Sequence, residues 1–181
     1  MIRPEFRTIL MDQRGAAVII WSFFMISIAV YLFIARSLLA DPNFARDFSL
    51  AKTVRIMLWI LTLVDLGYYV YWKKRRLTAA AILSGAKEVK LFRALEGYEG
   101  AIEKRAASVV SAYATRKIVV FAIIEALAVY GLVLALVGRY VWDQYLLSVL
   151  SLFLLALEFP NEKSLRELVQ TVEHGAAGRG R

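Results

Sequence analysis

Three polar side chains, Glu125, Asp65 and Ser151, lie inside long apolar stretches of this sequence. An acidic residue at the centre of a membrane helix costs roughly 2.5 to 3.5 kcal/mol, so each acid must be protonated, paired or turned toward protein or water. Such a set can carry a proton or bind a cation, or it can hold helices together by hydrogen bonds. The residue types alone leave both alternatives open.

The three groups are predicted to lie at a similar depth. Each is seven or eight residues from the expected cytoplasmic end of its apolar stretch. At a rise of 1.5 Å per residue, this places them about 10 to 12 Å from that end. The spacing therefore predicts an acid–acid–hydroxyl layer in the inner half of a helical bundle.

Four apolar helices are expected to position these groups. The chain is 60% hydrophobic with a mean hydropathy of +0.57, whereas a soluble domain has roughly 45 to 50% apolar residues. The apolar residues form blocks of about 20, the length that crosses a bilayer. The predicted fold class is an all-α integral membrane protein with four transmembrane helices and cytoplasmic amphipathic helices. The predicted spans are residues 16–35, 54–72, 117–137 and 141–159.

The last two spans are separated by a three-residue turn, 138–140. Gly138 is predicted to end the third span, because glycine tolerates the left-handed backbone that often follows a helix. The two helices should therefore form a tight antiparallel hairpin.

Basic residues predict the orientation. Residues 73–117 carry eleven lysines and arginines against four acidic residues, and such excess marks the cytoplasmic side. Both termini are then cytoplasmic, in a cell inner membrane. Within the segment lie four consecutive cations: Lys73, Lys74, Arg75 and Arg76. They are candidates for binding anionic lipid head groups, at about 1 kcal/mol per residue, or for ordinary topology anchors.

Two regions outside the spans show helical spacing of apolar residues. The cytoplasmic loop 73–116 is predicted to contain one or two amphipathic helices, on the membrane surface or against a partner. A C-terminal amphipathic helix is predicted at 161–173, with Asn161 or Ser164 as its cap. The apolar positions are Leu91, Leu95, Tyr98, Ile102, Val109, Val110 and Tyr113 in the first region, and Leu165, Leu168, Val169 and Val172 in the second.

The sequence lacks the residues that several kinds of chemistry require. The chain has no cysteine, which excludes disulfides, thiolate catalysis and iron–sulfur clusters. Its one histidine, His174, is near the C-terminus and is expected to be solvated. No phosphate-binding loop, nucleophile–base set or metal-ligand spacing is recognised. The prediction is therefore no catalysis, cofactor or metal, and no nucleic-acid binding, because the basic cluster abuts a span.

The segment FAIIEALAVYGLVLALV, residues 121–137, resembles the carboxylate-bearing helix of the rotary ATP synthase proteolipid, the c-type subunit. In that family a Glu followed by Ala-Leu-Ala-x-Tyr-Gly-Leu carries the translocated proton or sodium ion. Glu125 is the matching residue, and the resemblance implies ion binding there. The likeness covers 17 residues. The preceding helix lacks the Gly-x-Gly-x-Gly series of proteolipids, and a fourth span follows.

Residues 105–170 are also similar to small, poorly characterised bacterial four-helix membrane proteins. The shared pattern is a basic entry, Glu125, Ala128 and Gly131 within one helix, a short turn, an apolar helix and then Phe159-Pro160. This resemblance implies no known activity, and we prefer it to the proteolipid one.

These observations predict a non-catalytic membrane subunit or scaffold of a larger assembly, for example an energy-converting one. The expected partners are the lipid bilayer, anionic lipids, and other membrane subunits or further copies of the chain. Uncovered amphipathic helices favour such partners. The alternative is proton or cation translocation that uses Glu125 and Asp65.

Overall fold

The computed structural model describes residues 4–41, 44, 48–85 and 100–177, and within them the protein is helical with no strand. The described helices are α1 (Pro4–Leu39), α2 (Phe48–Arg76), α3 (Ala79–Gly85), α4 (Ala101–Gly138), α5 (Val141–Leu157) and α6 (Glu162–Ala177).

Two compact units share these helices. The first, here called the span unit, contains Trp21–Trp72 and Val119–Phe159. The second, here called the flanking unit, contains Met1–Ile20, Lys73–Ile118 and Pro160–Arg181. Helices α1, α2 and α4 each contribute residues to both units.

Among the described residues, two helical segments are long and apolar enough to cross a membrane: Arg14–Leu39 of α1 and Ile102–Gly138 of α4. A third is added if Val141–Leu157 and Glu162–Val172, which are bent by 43° where they meet, form one broken span. The part of the chain that the structure describes is therefore all-helical, with two or three candidate membrane spans. The predicted second span, 54–72, lies within α2, which does not meet the same criteria.

Helix α4 joins two elements that the sequence suggested as separate. It runs for 38 residues, from the segment predicted to be cytoplasmic into the predicted third span, without a break. No proline interrupts it, and Gly100 lies just before its first residue. The positions Leu91, Leu95 and Tyr98 of the predicted loop helix lie outside the described residues.

The flanking unit has its own hydrophobic core, which covers the amphipathic face of α6. The core combines one residue of α3, three of α4 and four of α6: Ile82, Ala106, Val109, Val110, Leu165, Leu168, Val169 and Val172. Burying one such aliphatic side chain contributes about 1.5 to 3 kcal/mol. The face that seemed to need an external partner is therefore covered by the chain itself.

The start of α6 distinguishes between the two predicted caps. The Oδ1 atom of Asn161 accepts a hydrogen bond from the backbone N–H of Lys163 at 3.1 Å, whereas Ser164 lies inside the helix. Asn161 thus satisfies one of the free N–H groups of the first turn.

The turn between α4 and α5 has a different left-handed residue from the predicted one. Helix α4 ends at Gly138, as predicted, but the left-handed residue is Arg139, which has φ 54° and whose N–H donates to the carbonyl of Ala135 at 3.0 Å. Gly138 is needed for space instead, because a Cβ there would collide with the ring of Tyr140 and lie 3.1 Å from Cβ of Ala51.

Within the span unit, α4 and α5 pack closely at Gly131. A Cβ on this glycine would lie 3.0 Å from Cα of Gln144 and 3.3 Å from Cβ of Leu147. Small residues allow such close approach between membrane helices. Farther along the same pair, Ser151 of α5 contacts the backbone of α4 at Ile124.

Candidate functional site

Glu125 lies near the middle of α4 and is bonded to α1. Its Oε1 atom accepts a hydrogen bond from the hydroxyl of Tyr31 at 2.8 Å and lies 2.6 Å from Ser27 Oγ, whose single proton is shared with the carbonyl of Phe24 at 2.8 Å. Ser27 and Tyr31 are four residues apart, so they share one face of α1. Both donors use the same oxygen, and no side chain among the described residues donates to Oε2.

Asp65 of α2 has a separate partner on α4. Its Oδ2 atom accepts a hydrogen bond from the hydroxyl of Tyr130 at 2.7 Å. Tyr130 follows Glu125 by five residues, which is about 140° around a helix with 3.6 residues per turn. Helix α4 therefore presents an acid to α1 and a hydroxyl donor to α2.

Ser151 is fully buried on α5 and donates its hydroxyl to the backbone carbonyl of Ile124 at 2.7 Å. It thus contacts α4 one residue before Glu125, but its hydrogen bond goes to the backbone. Among the described residues Glu125, Asp65 and Ser151 share no hydrogen bond. Each bonds to a helix other than its own: Glu125 to α1, and Asp65 and Ser151 to different residues of α4.

Two further carboxylates connect helices of the span unit. Asp143 of α5 accepts two hydrogen bonds from Arg55 of α2, at 2.6 and 3.0 Å, and the guanidinium lies 4.5 Å from the ring centroid of Tyr140. Glu158, just after α5, accepts a hydrogen bond from Tyr69 of α2 at 2.7 Å. A two-point arginine–carboxylate contact fixes orientation as well as distance.

The partners of these acids were not predicted from the sequence. Tyr130 was considered as the tyrosine of the proteolipid-like motif in residues 121–137. The pair Ser27 and Tyr31 did carry a signal, because two polar residues four positions apart on an apolar helix point the same way. No comparable spacing connects Arg55 with Asp143, since they lie on different helices.

The arrangement has two chemical capacities. The hydroxyl donors occupy one oxygen of each carboxyl group, Oε1 of Glu125 and Oδ2 of Asp65, so the other oxygen of either acid can still take up a proton or a cation. Equally, the same hydrogen bonds tie α1 and α2 to α4. In the part of the chain that the structure describes, no three His, Asp or Glu side chains are grouped closely enough to hold a metal ion.

The basic run is exposed at the end of α2, where it contacts α4. Lys73, Lys74, Arg75 and Arg76 are the last residues of this helix. Nη1 of Arg116 donates to the carbonyl oxygen of Arg76 at 2.6 Å. The backbone of His174 belongs to α6, and its side chain lies outside the described residues.

No protein family matches the chain, and no match is found among curated proteins or solved structures.

Proposed function

We propose that this chain is a four-span integral membrane protein that serves as a non-catalytic subunit or scaffold of a larger membrane assembly. The proposal rests on the hydrogen bonds that the acidic side chains of the span unit make between helices. Four of these acids, Asp65, Glu125, Asp143 and Glu158, accept hydrogen bonds from side chains of another helix. Acids used in this way hold a bundle together.

The two additional spans are α2 and α5. Both expose large apolar side chains along their length, among them Ile60 and Val64 of α2 and Val149 and Phe153 of α5, each between 58 and 64% exposed. Contiguous apolar surface of this kind is rare on proteins in water and normal in lipid. The excess of basic residues in 73–117 favours a cytoplasmic position for both termini.

Helix α1 offers the surface for another subunit. Phe23, Ile26, Val30 and Phe33 are 44 to 71% exposed and are spaced by three, four and three residues. This spacing places them on one side of the helix and is the pattern by which helices pack side by side. Because the face of α6 is covered within the chain, we assign contact with a partner to an exposed face of a span, and this face of α1 is the one chosen for the test.

Purification in mild detergent, followed by native mass spectrometry, tests this proposal. We expect a stoichiometric set of other membrane subunits, and its loss in a Phe23→Ala/Phe33→Ala variant. Phe153→Ala on α5, which is equally exposed, serves as the control and should leave the set intact. Recovery of the chain alone, or only as copies of itself, would contradict the subunit role.

A second candidate function, proton or cation translocation, is favoured by one feature of Glu125. Both hydroxyl donors bind Oε1, so Oε2 has no donor among the described residues and remains available to a proton or cation. Glu125→Gln keeps an oxygen that can accept both hydrogen bonds but cannot ionise. Translocation predicts that this variant loses proton or cation flux in liposomes while the fold is retained.

Glu158→Gln is the matched control for that flux measurement, because it removes a buried carboxylate that also accepts a tyrosine hydrogen bond. Equal flux in the wild-type protein and the Glu125→Gln variant would eliminate translocation through this residue. It would leave the subunit proposal untouched.

A further inference from the structure

The end of α2 and one arginine of α4 form a single concentration of positive charge in the flanking unit. The sequence alone places four cations at 73–76, and the structure adds Arg116, which is 40 residues away along the chain. Nη1 of Arg116 donates to the carbonyl oxygen of Arg76 at 2.6 Å. This contact satisfies one of the last carbonyls of α2 and fixes a fifth cation at the helix end.

Three of these cations have no acidic partner in the described chain. Lys74, Arg75 and Arg116 make no ion pair there, and the single hydrogen bond of Arg116 uses only one of its nitrogens. Lys74 and Arg75 are exposed. Because Arg116 uses one nitrogen in this hydrogen bond, its guanidinium keeps other N–H donors for an acceptor outside the protein. Several unpaired positive charges at the same helix end also favour the binding of an anion.

The position along the chain indicates which anion. The basic residues directly follow Tyr68, Tyr71 and Trp72, and the two tyrosines are 43% and 53% exposed. Aromatic residues of this kind occupy the head-group level of a bilayer, and cations that follow them reach the lipid phosphates. Arginine binds phosphate oxygens in a two-point geometry, and lysine adds a mobile point charge.

We propose that Lys74, Arg75 and Arg116 form a binding site for the phosphate head group of an anionic phospholipid. The inference rests on the proposed four-span arrangement, in which α2 ends at the membrane surface. It differs from a simple topology anchor in one respect. An anchor needs only the consecutive cations of α2, whereas the site also requires Arg116 of α4.

Native mass spectrometry of the full purified chain tests the proposal, with phosphatidylglycerol or phosphatidylcholine added in detergent. We expect the wild-type protein to retain phosphatidylglycerol preferentially. The triple variant Lys74→Gln/Arg75→Gln/Arg116→Gln should lose at least tenfold in apparent affinity. Arg116→Gln alone should lose severalfold, and Arg116→Lys should recover part of that loss because it keeps the charge.

A control of equal charge change separates a site from general attraction. Lys104→Gln/Arg105→Gln/Lys163→Gln removes three other exposed cations of the flanking unit and should leave phosphatidylglycerol retention unchanged. An equal loss in this control, or wild-type retention by Arg116→Gln, would overturn the proposal. If Arg116→Gln disturbs folding, Arg116→Lys replaces it, because lysine keeps the charge and loses the two-point contact with phosphate, so its retention of phosphatidylglycerol should still fall below that of the wild-type protein.

The last part of the experiment is competition with inorganic phosphate or glycerol phosphate. If either soluble anion displaces phosphatidylglycerol at equal concentration, the site binds free phosphate and the lipid assignment is wrong. Lipid retention is measured whether or not other subunits co-purify. Failure of this inference is therefore distinguishable from failure of the subunit proposal.

Discussion

The hydroxyl of Tyr130 on α4 donates a hydrogen bond to Oδ2 of Asp65 on α2 at 2.7 Å. Five residues earlier on the same helix, Glu125 accepts hydrogen bonds from α1. Helix α4 is thus bonded on one side to α1 and on another to α2. The two acids of the predicted ion layer belong to two different helix contacts.

Removing the hydroxyl of Tyr130 should weaken the contact between α2 and α4. We expect Tyr130→Phe to lower the free energy of unfolding by about 0.6 kcal/mol and by no more than about 1.7 kcal/mol, the range for such bonds in membrane proteins. Tyr145→Phe, at an exposed tyrosine of α5, is the control. Unfolding in increasing concentrations of a denaturing detergent measures the stability of both tyrosine variants. A double-mutant cycle with Asp65→Asn isolates the interaction energy between Tyr130 and Asp65. Equal stability of the two tyrosine variants would contradict the assignment.

The two donors of Glu125 should act together rather than independently. Ser27→Ala or Tyr31→Phe leaves one hydroxyl on Oε1, whereas the double variant leaves the acid without a protein donor in an apolar segment. We therefore expect the double variant to lose more thermal stability than the sum of the single variants. Ser37→Ala, at an exposed serine of α1, should have no effect. Strictly additive losses would indicate that Glu125 finds another donor.

The two partners of the Arg55–Asp143 ion pair should respond unequally to substitution. The Asp143 side chain is 9% exposed and that of Arg55 is 46% exposed. Arg55→Gln leaves a buried carboxylate unpaired, whereas Asp143→Asn leaves an arginine that can still reach water. We predict a larger fall in melting temperature for Arg55→Gln than for Asp143→Asn. The reverse order would mean that the carboxylate is satisfied by other groups.

Close packing of α4 on α5 should be sensitive to one methyl group. At Gly131 an added Cβ meets backbone atoms of Gln144, which cannot move as a flexible side chain does. Gly131→Ala is expected to cost about 1 to 3 kcal/mol, as overpacking typically does. Gly67→Ala on α2 is the matched control, because a Cβ there meets nothing within 4 Å. Thermal unfolding should show a loss for the first variant and no loss for the second.

The core of the flanking unit should hold α6 in place. Leu168→Ala removes buried methyl groups and is expected to cost about 2 to 5 kcal/mol. Hydrogen exchange of the α6 amides should accelerate accordingly, while Gln170→Ala, at an exposed position, leaves it unchanged. Unaltered exchange in Leu168→Ala would show that α6 is held by contacts outside this core.

The sequence predicted much of the local structure, because local structure depends on neighbouring residues. Apolar stretches predicted helices at 16–35, 117–137 and 141–159, and each lies within or nearly coincides with an observed helix. The period of Leu165, Leu168, Val169 and Val172 predicted the apolar face of α6. Its interpretation as a face that needs a partner failed, since periodicity shows that a face is apolar but not what covers it.

For the candidate site, the sequence by itself determined that Glu125 and Asp65 need partners, because an acid in an apolar helix is costly wherever it lies. The spacing also predicted a similar depth for the two acids, and this stays a prediction. Only the tertiary structure decided which partners they have. Ser27 is 98 positions from Glu125 and Tyr130 is 65 positions from Asp65. Hydrogen bonds act over about 3 Å, so the rotation and register of packed helices determine which donors are within reach.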